Sequence, residues 1–262
     1  MYEDITGMSD LQKLRGIPYQ VNEAISVRVP KMSEIFEMGE DRYMDMILRI
    51  CSIPSDMKYP LWEQKIDWTK ISDFDFFKMM VSGLSREDTR PLFGETLDFS
   101  SMLPVPPGGE YPSGLLVDLQ SGVYIDEAIY QKIVAFVRKT HGIFPKLERY
   151  ANKVTRDMLL AEDENKRLNA RLKKAQGAQE DSSLFGIYMT LLCSPEFKYN
   201  SETIGNITYM EFIESYRQIM HCVDSRALGI GLYMGNIEFQ KVRRKLDWQY
   251  SPPKNPYENK QL

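Results

Sequence analysis

The chain has 262 residues, with 33 Lys plus Arg against 37 Asp plus Glu, a formal charge of −4, 43% hydrophobic residues, two His and three Cys. This is the balance of an ordinary globular protein of one or two domains, and it excludes wholesale disorder, a collagen and a disulfide scaffold. So few His and Cys argue against a metal site, and no cofactor is expected.

The first ten residues hold Glu3, Asp4 and Asp10 and no basic, apolar leader, so no secretory signal is expected. Ser9-Asp10-Leu11-Gln12 reads as a capping box opening a short helix that Gly16 closes. Ile17, Tyr19 and Val21, then Ile25, Val27 and Val29, alternate on either side of Asn22-Glu23 and predict a β-hairpin ended by Pro30. Residues 33–52 carry a helical stripe of Tyr43, Met46, Ile47, Ile50 and Cys51, and Gly39 is expected to split the stretch in two. Pro54 and Pro60 bracket an expected turn, before an apolar cluster of Leu61, Trp62, Ile66 and Trp68. Helices follow at 73–84, with Phe74, Phe77 and Val81 on one stripe, and at 85–94.

Residues 97–103 suggest a strand and 104–113, rich in Pro and Gly, a loop. Leu115–Leu119 and Val123–Ile125 flank Gln120-Ser121-Gly122 as a second hairpin. Asp126 then caps a helix to His141, with Ile129, Ile133, Phe136 and Val137 inward and Gly142 as C-cap. His141 lies at that helix end, where an imidazolium would interact favourably with the terminal carbonyls.

Residues 155–175 form a charged helix whose large apolar residues after Ala161 are Leu168 and Leu172. Glu162–Lys166 and Asp163–Arg167 are i,i+4 pairs with the acid first, the favourable order. The helix has too little apolar face to pack on both sides; it is a solvated connector or one strand of a short coiled coil. Residues 184–248 read as all-helical, with Phe185, Tyr188, Met189 and Leu192 on one face and Tyr209, Phe212, Ile213, Tyr216, Ile219 and Met220 on another. The expected architecture is α+β and mostly helical: an acidic unit at 1–148 with two small hairpins, a charged connector and linker at 149–183, a helical unit at 184–248 and a polar tail at 249–262. Residues 1–148 hold 16 basic and 23 acidic side chains, and the rest of the chain is near neutral, so no strong field for nucleic acid arises.

Candidate chemistry is sparse. No run approaches the ~18 apolar residues of a spanning helix, so no membrane partner is expected. Cys51, Cys193 and Cys222 lack a Cys-x-x-Cys spacing and read as reduced thiols. Gly229, Gly231 and Gly235 miss the dinucleotide spacing by one residue and read as an inter-helix turn. Asp67, Asp73 and Asp75 could serve as paired acids only by converging in one cleft, and Asp73 is better placed to begin a helix. His221 and Cys222 are helix neighbours pointing to different faces, not a nucleophile and its base. No catalytic constellation emerges. Lys241, Arg243, Arg244 and Lys245 form a basic cluster, more often a solvated helix face than a nucleic-acid contact. The 15 Met and 15 Tyr point to adaptable contact surfaces, although core filling is the commoner use of Met.

Tyr19-Gln20-Val21-Asn22, Ile25-Ser26-Val27-Arg28-Val29-Pro30, Leu61-Trp62, Ile66-Asp67-Trp68, Asp73-Phe74-Asp75-Phe76-Phe77, Arg138-Lys139-Thr140-His141-Gly142 and Phe197-Lys198-Tyr199-Asn200 resemble the words of a phage and prophage protein family of Gram-positive bacteria. The likeness spans residues 16–145 and 184–248; the helix at 149–183 departs from it in composition. The family is similar to tail assembly chaperones, encoded among virion and tail-morphogenesis genes. The resemblance implies a non-enzymatic morphogenesis protein of the bacterial host cytoplasm that binds tape-measure and tail-tube proteins. Alternatives are a structural component of the virion (neck, tail or baseplate) and a host-directed regulator or nucleic-acid binder using residues 241–245. A chaperone groove would draw on Tyr188, Met189, Tyr209, Met210, Phe212 and Tyr216, residues whose commoner role is core packing. Self-association and pairing of the 155–175 helix stay open.

Overall fold

Ser9 opens α1 (Asp10–Leu14) with the expected reciprocal cap: its hydroxyl accepts from the Gln12 amide and Gln12 Oε1 accepts from the Ser9 amide. The computed structural model describes residues 5–175 and 183–235. Antiparallel β1 (Tyr19–Gln20) and β2 (Ser26–Val27) form the first hairpin. Asn22 Oδ1 shapes its turn by accepting from the Ala24 and Ile25 amides at 3.0 and 2.7 Å. Gly39, at φ 89°, separates α2 (Met32–Met38) from α3 (Glu40–Cys51), whose predicted stripe is fully buried. The stretch bracketed by Pro54 and Pro60 is helical rather than a turn. A 3₁₀ turn (Pro54–Met57) runs into α4 (Lys58–Glu63), where Pro60 sits in the first turn and its missing N–H costs nothing. Then come α5 (Asp73–Val81), capped by Ser72, and α6 (Arg86–Phe93), capped by Ser85.

The strand expected at 97–103 is instead a 3₁₀ turn (Phe99–Ser101) leading into β3 (Leu103–Val105). Buried Phe99 packs edge-on against Phe77 and Phe93, which holds it in the core rather than in a ladder. β3 joins β4 (Leu115–Val117) and β5 (Tyr124–Ile125) in a three-stranded antiparallel sheet, order β3-β4-β5. Gly114 makes this turn possible. Its φ is +70°, and a Cβ there would stand 2.4 Å from the Val105 carbonyl oxygen. Gly114→Ala is expected to lower stability by about 2 kcal/mol, from the left-handed backbone and the backbone clash together, as read by urea denaturation.

Asp126 caps α7 (Glu127–His141), and Gly142 ends it in the left-handed conformation. The buried Arg138 side chain of α7 donates from Nε and Nη2 to the Cys51 carbonyl at 2.9 and 2.7 Å, a cation closing the C-terminus of α3. Next are α8 (Lys153–Ala175), α9 (Ser183–Cys193), a 3₁₀ turn (Ile204–Asn206) and α10 (Tyr209–Tyr233). The fold of the described residues is thus α+β and mostly helical, with ten α-helices and two small antiparallel sheets.

Two buried clusters hold it. The larger runs from Val21 to Ile219 and takes in Leu184, Leu191, Ile204, Ile207 and Phe212. The segment that the sequence sets apart after residue 183 therefore buries Leu184, Leu191, Phe212 and Ile219 in the same cluster as α2, α3 and α7, while Phe185 and Met189 of the face expected on α9 stay exposed. The physical reason is size: one face each of α9 and α10 is too little apolar surface to shield itself. The smaller cluster gathers Leu61, Trp68, Phe76 and Leu160. Here α8 is docked, not solvated, over its first half. Asp163 accepts from the Tyr59 amide at 3.0 Å and Glu164 from the Tyr59 hydroxyl at 3.1 Å. Asp163 so supplies the N-terminal cap that α4 lacks locally.

Candidate functional site

α10 is fixed at its start. Thr208 caps it by accepting from the Glu211 amide, and the same hydroxyl donates to the Leu14 carbonyl at 2.8 Å. The Met32 amide donates to the Ile207 carbonyl and the Tyr209 amide to the Pro30 carbonyl, both at 2.9 Å. This two-bond zipper lays the 3₁₀ turn at Ile204–Asn206 against α2 and fixes where α10 begins. Tyr209, Met210, Phe212 and Ile219 are buried there, while Met220, Val223, Ile230 and Met234 further along are exposed.

The six apolar candidates for a partner groove therefore separate. Phe212 is fully buried in the core and Tyr209 is buried against His141, so neither offers a contact surface. Tyr216 is partly buried against the same cluster. Met210 is buried but lines a groove of about 540 Å³ between α1, residues 196–199 and α10. The groove floor is Leu14, Phe197, Tyr199 and Ile219, and its carboxylates already have partners: Glu214 with Arg217, Glu196 with Arg226, Glu211 with the Tyr199 hydroxyl. Tyr188 lines a second recess of about 400 Å³ between α2 and α9, with Ile35, Phe36, Glu40, Leu184 and Phe185. Phe36 meets Tyr188 edge-on at 5.8 Å. Phe36 and Phe185 stand 48% and 64% exposed around it, and Met189, about one turn beyond Phe185 on α9, is 42% exposed. Lys241, Arg243, Arg244 and Lys245 lie outside the described residues.

Phe36 is the element that sequence reasoning missed, because it lies off the buried Met32–Ile35 stripe of α2. A signal for the rest was present in α9. Ser-Leu-Phe-Gly-Ile-Tyr-Met-Thr-Leu-Leu-Cys has no charge on any side, yet among its described side chains only Leu184 and Leu191 are buried. A helix apolar all round, but covered on one side, has surface left over for a second contact.

His141 is not the imidazolium that its helix-end position suggests. Its Nδ1 lies 2.8 Å from the Val137 carbonyl, which can only accept, so Nδ1 carries the proton. Nε2 then accepts from the Tyr43 hydroxyl at 2.5 Å. Tyr209 stacks on the ring with centroids 4.7 Å apart. Burial lowers the imidazole pKa from 6.5 to about 4, only partly offset by the Val137 hydrogen bond. Burial also raises the Tyr43 hydroxyl well above its ordinary value, so it stays a donor.

The acids at 67, 73 and 75 do not form a shared ligand set. Asp67 accepts from the Tyr150 hydroxyl at 2.7 Å and from Thr69, while Asp75 pairs with Ser72 and Lys78. Asp73 opens α5 as its first residue, as expected, and Ser72 supplies the side-chain cap. Among the described residues no group of three or more His, Cys, Asp or Glu is placed to hold a metal ion. Gly229 and Gly231 lie inside α10 rather than in a turn, and only Gly235 follows the helix with positive φ. No helix of the described residues is long and apolar enough to cross a membrane. No family model, no curated protein and no solved structure matches the chain.

Proposed function

We propose that the protein is a non-enzymatic phage morphogenesis protein, a tail assembly chaperone that holds an apolar segment of the tape-measure protein and presents it to tail-tube subunits. The observation that carries this reading is the aromatic surface around the α2–α9 recess, with Phe36 and Phe185 uncovered at its rim and Tyr188 along its wall, and with exposed Met189 about one helical turn beyond Phe185 on α9. An amphipathic helix laid there would bury its i, i+3 and i+4 anchors against adaptable side chains. The surface carries one carboxylate, Glu40, already accepting from the Leu184 amide, so it favours apolar over charged partners.

Co-expression with the tape-measure and tail-tube proteins, followed by pull-down, tests the reading. Wild type should retain the tape-measure protein. Phe185→Asp with Met189→Asp should lose it while the melting temperature stays within about 2 °C, because both side chains are exposed. Capture of neither protein would overturn the proposal. So would the presence of this chain at fixed copy number in purified particles, which would make it a virion component.

A further inference from the structure

α8 has two faces, and the fold uses one. Leu160 and Asp163 face α4, and Leu160 is buried. On the other side Val154, Met158, Ala161, Asn165, Leu168 and Leu172 follow each other at intervals of 4, 3, 4, 3 and 4 residues, and all six are exposed. The four large apolar members are 69%, 68%, 45% and 55% exposed. Such spacing is the seam of a left-handed coiled coil, with Met158, Asn165 and Leu172 at one core position and Val154, Ala161 and Leu168 at the other.

We infer that this face pairs with α8 of a second copy, parallel and in register. In register, the two Asn165 amides meet across the axis and satisfy each other, and Leu168 and Leu172 meet their own counterparts. An antiparallel pairing that overlaps the whole seam would bury each Asn165 against Ala161 of the other copy. Its compensation, exposed ion pairs between Asp157 and Arg171 of the other copy, is worth less than a buried unpaired amide costs. Asp157 is moreover already paired with Arg156. The parallel arrangement sets Asp157 near Glu162 of the other copy, but both charges are neutralised within the chain, by Arg156 at 2.8 Å and Lys166 at 2.7 Å. The seam buries on the order of 1,000 Å² in total, the lower edge of what a specific interface needs, so the dimer is reversible and concentration-dependent.

Sedimentation velocity of the full chain over roughly 1–100 µM tests this. Wild type should shift from monomer to dimer across the range. Leu168→Asp with Leu172→Asp should raise the dissociation constant about tenfold or more, with an unchanged circular dichroism melt at the dilute end of the range, where the chain is monomeric and both positions are exposed. In a Cys193→Ser, Cys222→Ser background, Asn165→Cys should form a disulfide-linked dimer on mild oxidation. A monomer at every concentration, or a dimer indifferent to the double Asp variant, would overturn the pairing. A dimer that Asn165→Cys fails to cross-link, while Asn165→Cys mixed with Ala161→Cys does, would overturn the parallel register.

Discussion

Phe212→Ala is expected to lower the unfolding free energy by about 3–5 kcal/mol, the range for emptying a fully buried aromatic site. Phe212 is one turn inside α10, just past the zipper to Pro30 and Met32, and no solvent reaches it. Its loss leaves a cavity whose walls belong to one cluster running from the first hairpin to Ile219, so they cannot collapse independently. The measurement is urea denaturation followed by tryptophan fluorescence and by circular dichroism. Trp62 and Trp68 lie in the smaller cluster, far along the chain from Phe212, so both signals should shift together. A loss below about 1 kcal/mol, or a tryptophan transition that stays in place while the helical signal moves, would show that α10 does not share the core.

Lowering the pH from 6.5 to 4 should remove about 3 kcal/mol of stability through His141 alone. Its folded pKa, about 4, lies below the ordinary 6.5. The unfolded chain therefore takes up the proton first, and stability rises with pH across that window. The contribution is essentially complete well above 6.5, falls progressively below it, and is lost as the pH drops through about 4. Protonation would place a second proton on Nε2, which faces the Tyr43 oxygen, in a site stacked under Tyr209. His141→Gln keeps an amide that can donate to Val137 but does not titrate. Its stability, measured by chemical denaturation at steps through this window, should fall less steeply than that of wild type. Parallel curves would sink the assignment.

Local signals made much of the fold readable. Ser9 with Gln12, Asp126 with Gly142, and Gly39 between two stripes each fixed an element boundary through a hydrogen bond or a backbone angle that one side chain controls. What stayed hidden depends on distant partners. Pro60 looks like a breaker until Asp163, about a hundred residues later, supplies the cap for its helix. Phe99 reads as strand until Phe77 and Phe93 claim it. His141 reads as a cation until Tyr43 and Tyr209 enclose it. The candidate surface was half legible for the same reason. Tyr188 and Met189 stand on a helix with surplus apolar residues, whereas which of Tyr209, Met210, Phe212 and Tyr216 are spent on the core follows from the zipper at residues 30–32 and 207–209, whose bonds are all backbone.

That zipper sets a timetable for synthesis. Its two halves are separated by some 180 residues, which a ribosome needs roughly 10–40 s to translate. Until residue 209 and the turn after it have left the ribosome, the start of α2 has no partner for its Met32 amide, and buried Met32 and Ile35 lack the neighbours of the 3₁₀ turn at Ile204–Asn206. The amino-terminal half must wait in an open, apolar state for its closing strap, and any chain released early emerges with that face bare. Emergence of residues 207–209, rather than of the first half of the chain, is the event that closes this core.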